Sequence, residues 1–513
     1  MLRRWEGCGR MAAMDRRTFL KDSILASGAA LCGRGGMAEG YSPVALRLTL
    51  QPTRLGNPVA EDFTGLSYES AQLSQPEFFA PTNTELVGFI RRLGASGVLR
   101  IGGNTSEYCY WTPGGAAQNS ATAQHDEATV LQQAIGPNKG HKPPPAKKIT
   151  PEAVRNLRGF IDATGWKLIY GLNMGTESAE TAAAEAEYVM REMGDKLIAF
   201  QLCNEPDLFF RNGLRKSDYN FAKFAEEWQH FFETIRAKVP HALFAGPDTA
   251  FNNEWLVPFA KQFRNEAAFL SQHYYAEGPP ENPSMTIARL LSPNPRLQAE
   301  FQGMAETQAD THLPFRLTET NSCYQGGKQG VSDTFAAALW GADLMYQLAS
   351  AGGVGINFHG GGYGWYTPIA GTVADGFTAR PIYYGMLLFQ QAGSGHLIGA
   401  TLDQPDAAPL MNAYGLASQG GEHGTVKAMV FNKHEDRAVR LTIDSGSRAM
   451  RARGLRLASP RLDDTQDVTL GGNPVGASGS WEAHTEETLP LHEGAAVIDL
   501  PAGSAALVTF HSS

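Results

Sequence analysis

Two glutamates far apart in the chain, Glu205 and Glu319, are of the right type and setting to do chemistry together. Glu205 sits in LIAFQLCNEPD (residues 197–207), and Glu319 sits in PFRLTETNSCY (residues 314–324). One carboxyl group held protonated can give its proton to a leaving oxygen while a second, ionised, attacks the carbon behind it. That pairing suits cleavage of a glycosidic bond. A separation of about 5–5.5 Å would give a covalent intermediate and retention, and roughly 6.5–9.5 Å would leave room for water and inversion. Taken alone, Asn204-Glu205-Pro206 reads as a strand-ending turn, because Asn and Pro are common turn residues. The case for chemistry depends on what holds the two glutamates.

Each glutamate closes a short apolar run. In the first, Ile198, Phe200 and Leu202 alternate with Ala199 and Gln201 before Pro206 stops the ladder. Six comparable runs accompany them: residues 63–70, 97–102, 167–173, 242–246, 269–275 and 353–359. Helical patterns separate most of them. Thr150-Pro151-Glu152, for instance, supplies an N-cap and a proline at the first helical position. Ser332-Asp333 opens another helical run that lasts through Leu348. Eight strands alternating with helices predict parallel βαβ units closed into a (β/α)₈ barrel, residues 61–392, with reactive groups at the strands' C-terminal ends.

The residues at those ends are polar. Glu69 ends the first strand, Asn104 follows the second, Asn204 precedes Glu205 on the fourth, and His359 ends the eighth. His273 and Tyr275 share parity on the sixth, so both can point inward. Tyr275 is placed to hydrogen-bond Glu319 and keep it ionised, and Asn204 to meet a sugar 2-hydroxyl. Tyr324 and Lys328 after the seventh strand, and Tyr366 with the N–H groups around Gly361 after the eighth, are candidate donors to an anionic substituent. The glycine run reads equally as a flexible loop, and His359 or Glu69 taken singly reads as a satisfied polar residue.

Outside the barrel the pattern changes. VALRLTL (residues 44–50) alternates like a half-buried strand and is expected to join the C-terminal part. From His396 onward short strands separated by Gly, Asn and Asp turns predict a β-sandwich over residues 393–513. The stretch from Thr105 to Ile149 is too long for an ordinary barrel loop, and it ends in the basic, proline-rich PNKGHKPPPAKK.

Residues 1–38 read as a twin-arginine targeting segment: Arg16-Arg17, a mild apolar run to Leu31, then small residues to Ala38. This predicts export to a bacterial periplasm or beyond. The segment carries seven basic and three acidic residues, so removing it takes the net charge from −9 to −13. So acidic a body disfavours nucleic acid and heavily sulfated polymers as partners. No run of 18 apolar residues suggests membrane insertion. The remaining Cys109, Cys203 and Cys323 lack metal-ligand spacing, and two carboxyl groups need no metal or organic cofactor.

Together, SYES around Glu69, LRIGGN (residues 99–104), Asn204-Glu205-Pro206, TETNSCYQGGK (residues 318–328) and INFHGG (residues 356–361) resemble glycoside hydrolase family 79 of clan A, the β-glucuronidases and heparanases. The resemblance covers nearly all of the mature chain. It implies that Glu205 is the acid/base and Glu319 the nucleophile of a retaining enzyme. With few basic clusters available for a sulfated polymer, the expected substrate is a small terminal β-D-glucuronide or a glucuronic-acid-terminated glycan, attacked from its end. An endo-glycosidase on acidic polysaccharide, an exo-glycosidase for a neutral sugar and a catalytically silent carbohydrate binder are the competing readings. The sequence does not specify the oligomeric state.

Overall fold

The computed structural model describes residues 43–114, 145–403, 411–418 and 425–511. The expected targeting segment and the first part of the basic proline-rich stretch lie outside these residues.

Eight parallel strands close into a barrel in simple chain order: Thr64–Glu69, Val98–Gly102, Lys167–Gly171, Leu197–Gln201, Phe244–Thr249, Ala267–Glu277, Phe315–Cys323 and Gly355–Gly360. Each coincides with one of the eight apolar runs, and each is buried along nearly its whole length, as strands covered by helices outside and filled inside must be. The crossover helices start where the sequence indicates. In Pro151–Thr164 the Thr150 hydroxyl accepts from the Ala153 N–H, proline occupies the first turn, and Gly165 ends the helix in the left-handed region. The helix Phe335–Ser350 is buried on almost every side, because it lies between barrel and C-terminal sheet; Asp343 on it accepts hydrogen bonds from Asn412, Tyr414 and Lys433 of that sheet.

The C-terminal sandwich is built from one continuous 11-stranded sheet. Val44–Val59 lies inside it, antiparallel to Gly395–Asp403 and parallel to Val439–Asp444. The sheet curls until Ala495–Leu500 packs over Arg451–Ala458, and Leu441, Ile443 and Ile498 share a core with Val430, Ala506 and Val508. At Gly454 the two layers meet, Ile498 standing at ordinary packing distance from where a β-carbon would be. Gly395–Asp403 and Met411–Ser418 are strands that the turn pattern had not delimited.

Candidate active site

A cavity of about 730 Å³ opens at the C-terminal ends of the barrel strands. It is lined by Glu205 and Glu319 together with Glu69, Asn104, Asn204, His273, Tyr275, Tyr324 and Tyr366. A carboxylate oxygen of Glu205, one of Glu319 and a ring nitrogen of His273 lie within 4.8 Å of one another. Two of the residues singled out in the sequence are elsewhere. Lys328 is absent from the cavity lining, and its Nζ donates to the Asn282 carbonyl at 3.3 Å. Gly361 is also absent, and its N–H is taken by Thr367 Oγ1 at 2.8 Å rather than offered to a ligand.

Glu319 lies on Phe315–Cys323 in a ring of donors. Tyr275 donates to its Oε1 at 2.7 Å and Arg100 to its Oε2 at 2.8 Å, and the His359 ring is 3.6 Å away. Burial alone would raise its pKa. The positive charges of His359, His273 and Arg100 and the Tyr275 hydroxyl outweigh burial and bring it down to about 2. Glu319 is therefore ionised at any physiological pH.

Glu205 has the opposite environment. It follows Leu197–Gln201 in a left-handed backbone conformation, φ 49° and ψ 56°, which costs a non-glycine residue on the order of 1–3 kcal/mol. The surroundings enforce it. The Glu205 N–H is held by the Asp248 carbonyl at 2.9 Å, and the preceding Asn204 N–H by the buried carboxylate of Glu107 at 2.7 Å. Glu107 also accepts from the Gly175 N–H, and burial pushes its own pKa up to about 7. Burial raises the pKa of Glu205 as well, against the lowering effect of His273, whose Nδ1 is 3.0 Å away.

Arg100 links the two carboxyl groups. It is fully buried, donating to Glu319, to Asn204 Oδ1 (2.9 Å), to Gln201 Oε1 (2.9 Å) and to Asp248 Oδ2 (2.6 Å). Asp248 in turn faces His273 Nε2 at 3.1 Å; burial would raise its pKa, but the His273 and Arg100 cations and its hydrogen bonds hold it well below the usual carboxylate range. Burial would lower the pKa of His273, but Asp248 and Glu319 raise it to about 10, so the ring is an imidazolium. Both glycines of LRIGGN clear space for charge. A β-carbon on Gly102 would sit 2.3 Å from the Arg100 guanidinium, and one on Gly103 (φ 74°) 2.5 Å from Glu69 Oε2. Glu69 accepts from the Thr105 N–H and hydroxyl and approaches His359 Nε2 at 3.4 Å.

Arg100, Asp248, Gln201 and Glu107 were not singled out from the sequence. The available signal was an arginine between Leu99 and Ile101 in an otherwise apolar strand, where a charge needs buried partners. Glu205, His273 and Glu319 lie close together, and His273 engages carboxylates with both ring nitrogens, Glu205 with Nδ1 and Asp248 with Nε2. The arrangement as it stands is an ionised carboxylate facing a carboxyl biased toward its protonated form. That can supply a nucleophile and a general acid to one bond.

This architecture is shared with solved glycosidases. A 4-O-α-L-rhamnosyl-β-D-glucuronidase from Fusarium oxysporum aligns over 91% of this chain and 100% of its own, with TM-score 0.69 and 17% identity. A GH51 arabinofuranosidase from Xanthomonas axonopodis pv. citri aligns over the same shares with TM-score 0.63 and 14% identity. At these identities the likeness establishes the fold. In sequence, the chain is 26% identical over 385 residues to a β-glucuronidase of Neurospora crassa and 25% identical over 366 residues to one of Aspergillus niger. The matches cover 66% and 64% of this chain but only 65% and 64% of those relatives, just under two thirds. No family model matches the chain.

Proposed function

We propose that this chain is a retaining, exo-acting β-glucuronidase of the glycoside hydrolase family 79 type. The observation that carries this reading is the pair Glu205 and Glu319, within 4.8 Å in one cavity and biased toward opposite protonation states. An approach of one oxygen from each to within 4.8 Å supports the retaining route, in which the carboxyl groups stand about 5–5.5 Å apart. Glu319 attacks the anomeric carbon while Glu205 gives its proton to the glycosidic oxygen. The C–O bond to the aglycone breaks, and an ester forms between sugar and Glu319. Glu205, now ionised, takes a proton from water, which attacks the same carbon and releases the sugar and Glu319. Throughout, Arg100 and Tyr275 hold the nucleophile, and His273 holds the acid/base.

The similarity to two β-glucuronidases supports the choice of sugar. The half of the cavity beside Glu319 adds Tyr324, Gln325, Gly326 and Tyr366, which suit a uronate carboxylate bound by neutral donors. The reading needs no metal or organic cofactor. Passage through the twin-arginine route to the periplasm or medium belongs to the same proposal, and sequencing the N-terminus of exported protein tests it: a start near residue 39 is expected.

Hydrolysis of p-nitrophenyl β-D-glucuronide, compared with the glucoside, xyloside and arabinofuranoside, tests the activity. Glu319→Gln is expected to abolish turnover, whereas Glu205→Ala keeps the first step for this activated leaving group and accumulates the glycosyl-enzyme. Labelling by a 2-fluoro glucuronyl inactivator should fall on Glu319. Equal activity on the neutral glycosides, or label on another residue, would overturn the proposal.

A further inference from the structure

The cavity has two unlike halves. Beside Glu319 it is made of tyrosines and of carboxylates and histidines that are already paired. Beside Glu205, beyond the paired His273 and Glu107 and the polar Tyr108 and Asn212, it is made of Leu208, Leu214, Ala250 and Phe251, with Arg211 and Arg296 exposed at the rim. These six follow the fourth and fifth barrel strands or open the helix Pro295–Thr311, so they lie on the acid's side of the barrel. Given the proposed function, this side is where the aglycone must lie, because the proton donor stands next to the leaving oxygen.

We infer that this half is a subsite for an aglycone that joins an apolar face to an anionic group, as an aromatic acid or an acidic sugar does. Leu208, Leu214 and Phe251 give it an apolar wall. Phe251 is nearly buried and fixed in the left-handed region at φ 62°, a conformation a phenylalanine holds only when its neighbours impose it. The Arg296 guanidinium lies over the Phe251 ring, 5.2 Å from its centre, which orients its planar fork at the same wall. A guanidinium so placed pairs with a carboxylate or sulfate through two parallel N–H donors. The acids that also line the cavity do not oppose it. Both Glu107 oxygens accept backbone N–H groups, and Glu69 is held by Thr105. On a chain of net charge −9, two arginines at one end of the cavity mark where a negative aglycone is drawn in.

The test compares 4-carboxyphenyl β-D-glucuronide with its neutral methyl ester, and adds a β-glucuronyl disaccharide whose second sugar carries a sulfate. The measured quantity is the ratio of kcat/KM for each anionic substrate to that for the ester. In the Arg211→Gln/Arg296→Gln double variant the ratio should fall about tenfold, the sum expected of two solvent-exposed ion pairs. Raising the salt concentration should lower the wild-type ratio in the same direction. A fall for the aryl acid alone assigns the subsite to aromatic acids, and a fall for the disaccharide alone assigns it to acidic sugars. A ratio unchanged in the variant, or equal losses on all three substrates with an unchanged urea midpoint, overturns the inference. Failure of the wild type to cleave any of the three removes the glucuronidase reading itself, and with it the subsite.

Discussion

The barrel mouth and the C-terminal sheet use charge in opposite ways. In the sheet, the strand Ala495–Leu500 alternates buried and exposed positions: Ala496, Ile498 and Leu500 face the curled core, and Val497 and Asp499 face water. Arg440 and Asp499, directly opposite each other across two strands, form a two-pronged pair at 2.7 and 2.8 Å with both side chains more than half exposed. In the barrel, Arg100, Asp248, His273 and Glu319 are removed from solvent and satisfied by one another and by buried polar neighbours such as Gln201, Asn204, Tyr275 and Thr318. Surface pairs are screened and nearly dispensable. A buried network of this kind is seldom the cheapest way to fill a core, and its value lies in fixing which carboxyl group is charged.

The largest expected effect comes from removing the hub. Arg100→Met should lower turnover of an aryl glucuronide about 10³-fold and destabilise the fold by roughly 3–5 kcal/mol, because Asp248 and Glu319 lose their buried partner. Urea unfolding and steady-state kinetics on one preparation measure both. A stable, active variant would mean that the barrel's charges are as expendable as those of the sheet.

His273 gives a smaller effect with a defined pH window. Its pKa is near 6.5 unfolded and about 10 folded, so the folded state binds its proton more tightly. The stabilisation is complete below pH 6.5 and is lost as pH rises through 10. The difference in unfolding free energy between wild type and His273→Gln should therefore shrink by a few kcal/mol across that window. A difference independent of pH would show that the imidazole acts by packing alone. The smallest effect belongs to the sheet: Arg440→Ala should leave kcat/KM unchanged and move the melting temperature by little more than replicate scatter. A large loss there would break the contrast from the other side.

Sequence reading recovered the barrel well, because each strand is an apolar run ended by a polar residue, and the period-two rule put His273 and Tyr275 on the inside together. Tyr275 does meet Glu319, as parity suggested. The rule gave no way to rank polar residues within strands. Arg100 lies in the middle of Val98–Gly102 and Asp248 near the end of Phe244–Thr249, and their significance comes from pairing across the barrel, which local spacing does not record. Lys328 and Gly361 show the converse, candidates by spacing that do not line the cavity. Both follow strand ends in chain order, yet Lys328 reaches across to the Asn282 carbonyl on the loop after the sixth strand, and the Gly361 N–H turns to Thr367 on its own loop.

The placement of Val44–Val59 bears on how this chain is made. A ribosome delivers that strand ahead of the whole barrel, but the neighbours on its two sides, Gly395–Asp403 and Val439–Asp444, emerge hundreds of residues later. At ordinary synthesis rates the wait is on the order of tens of seconds, during which an unpaired apolar ribbon hangs from a growing barrel. The sheet therefore closes around a strand made long before its neighbours, and a polypeptide cut short before residue 444 leaves that strand without a complete berth.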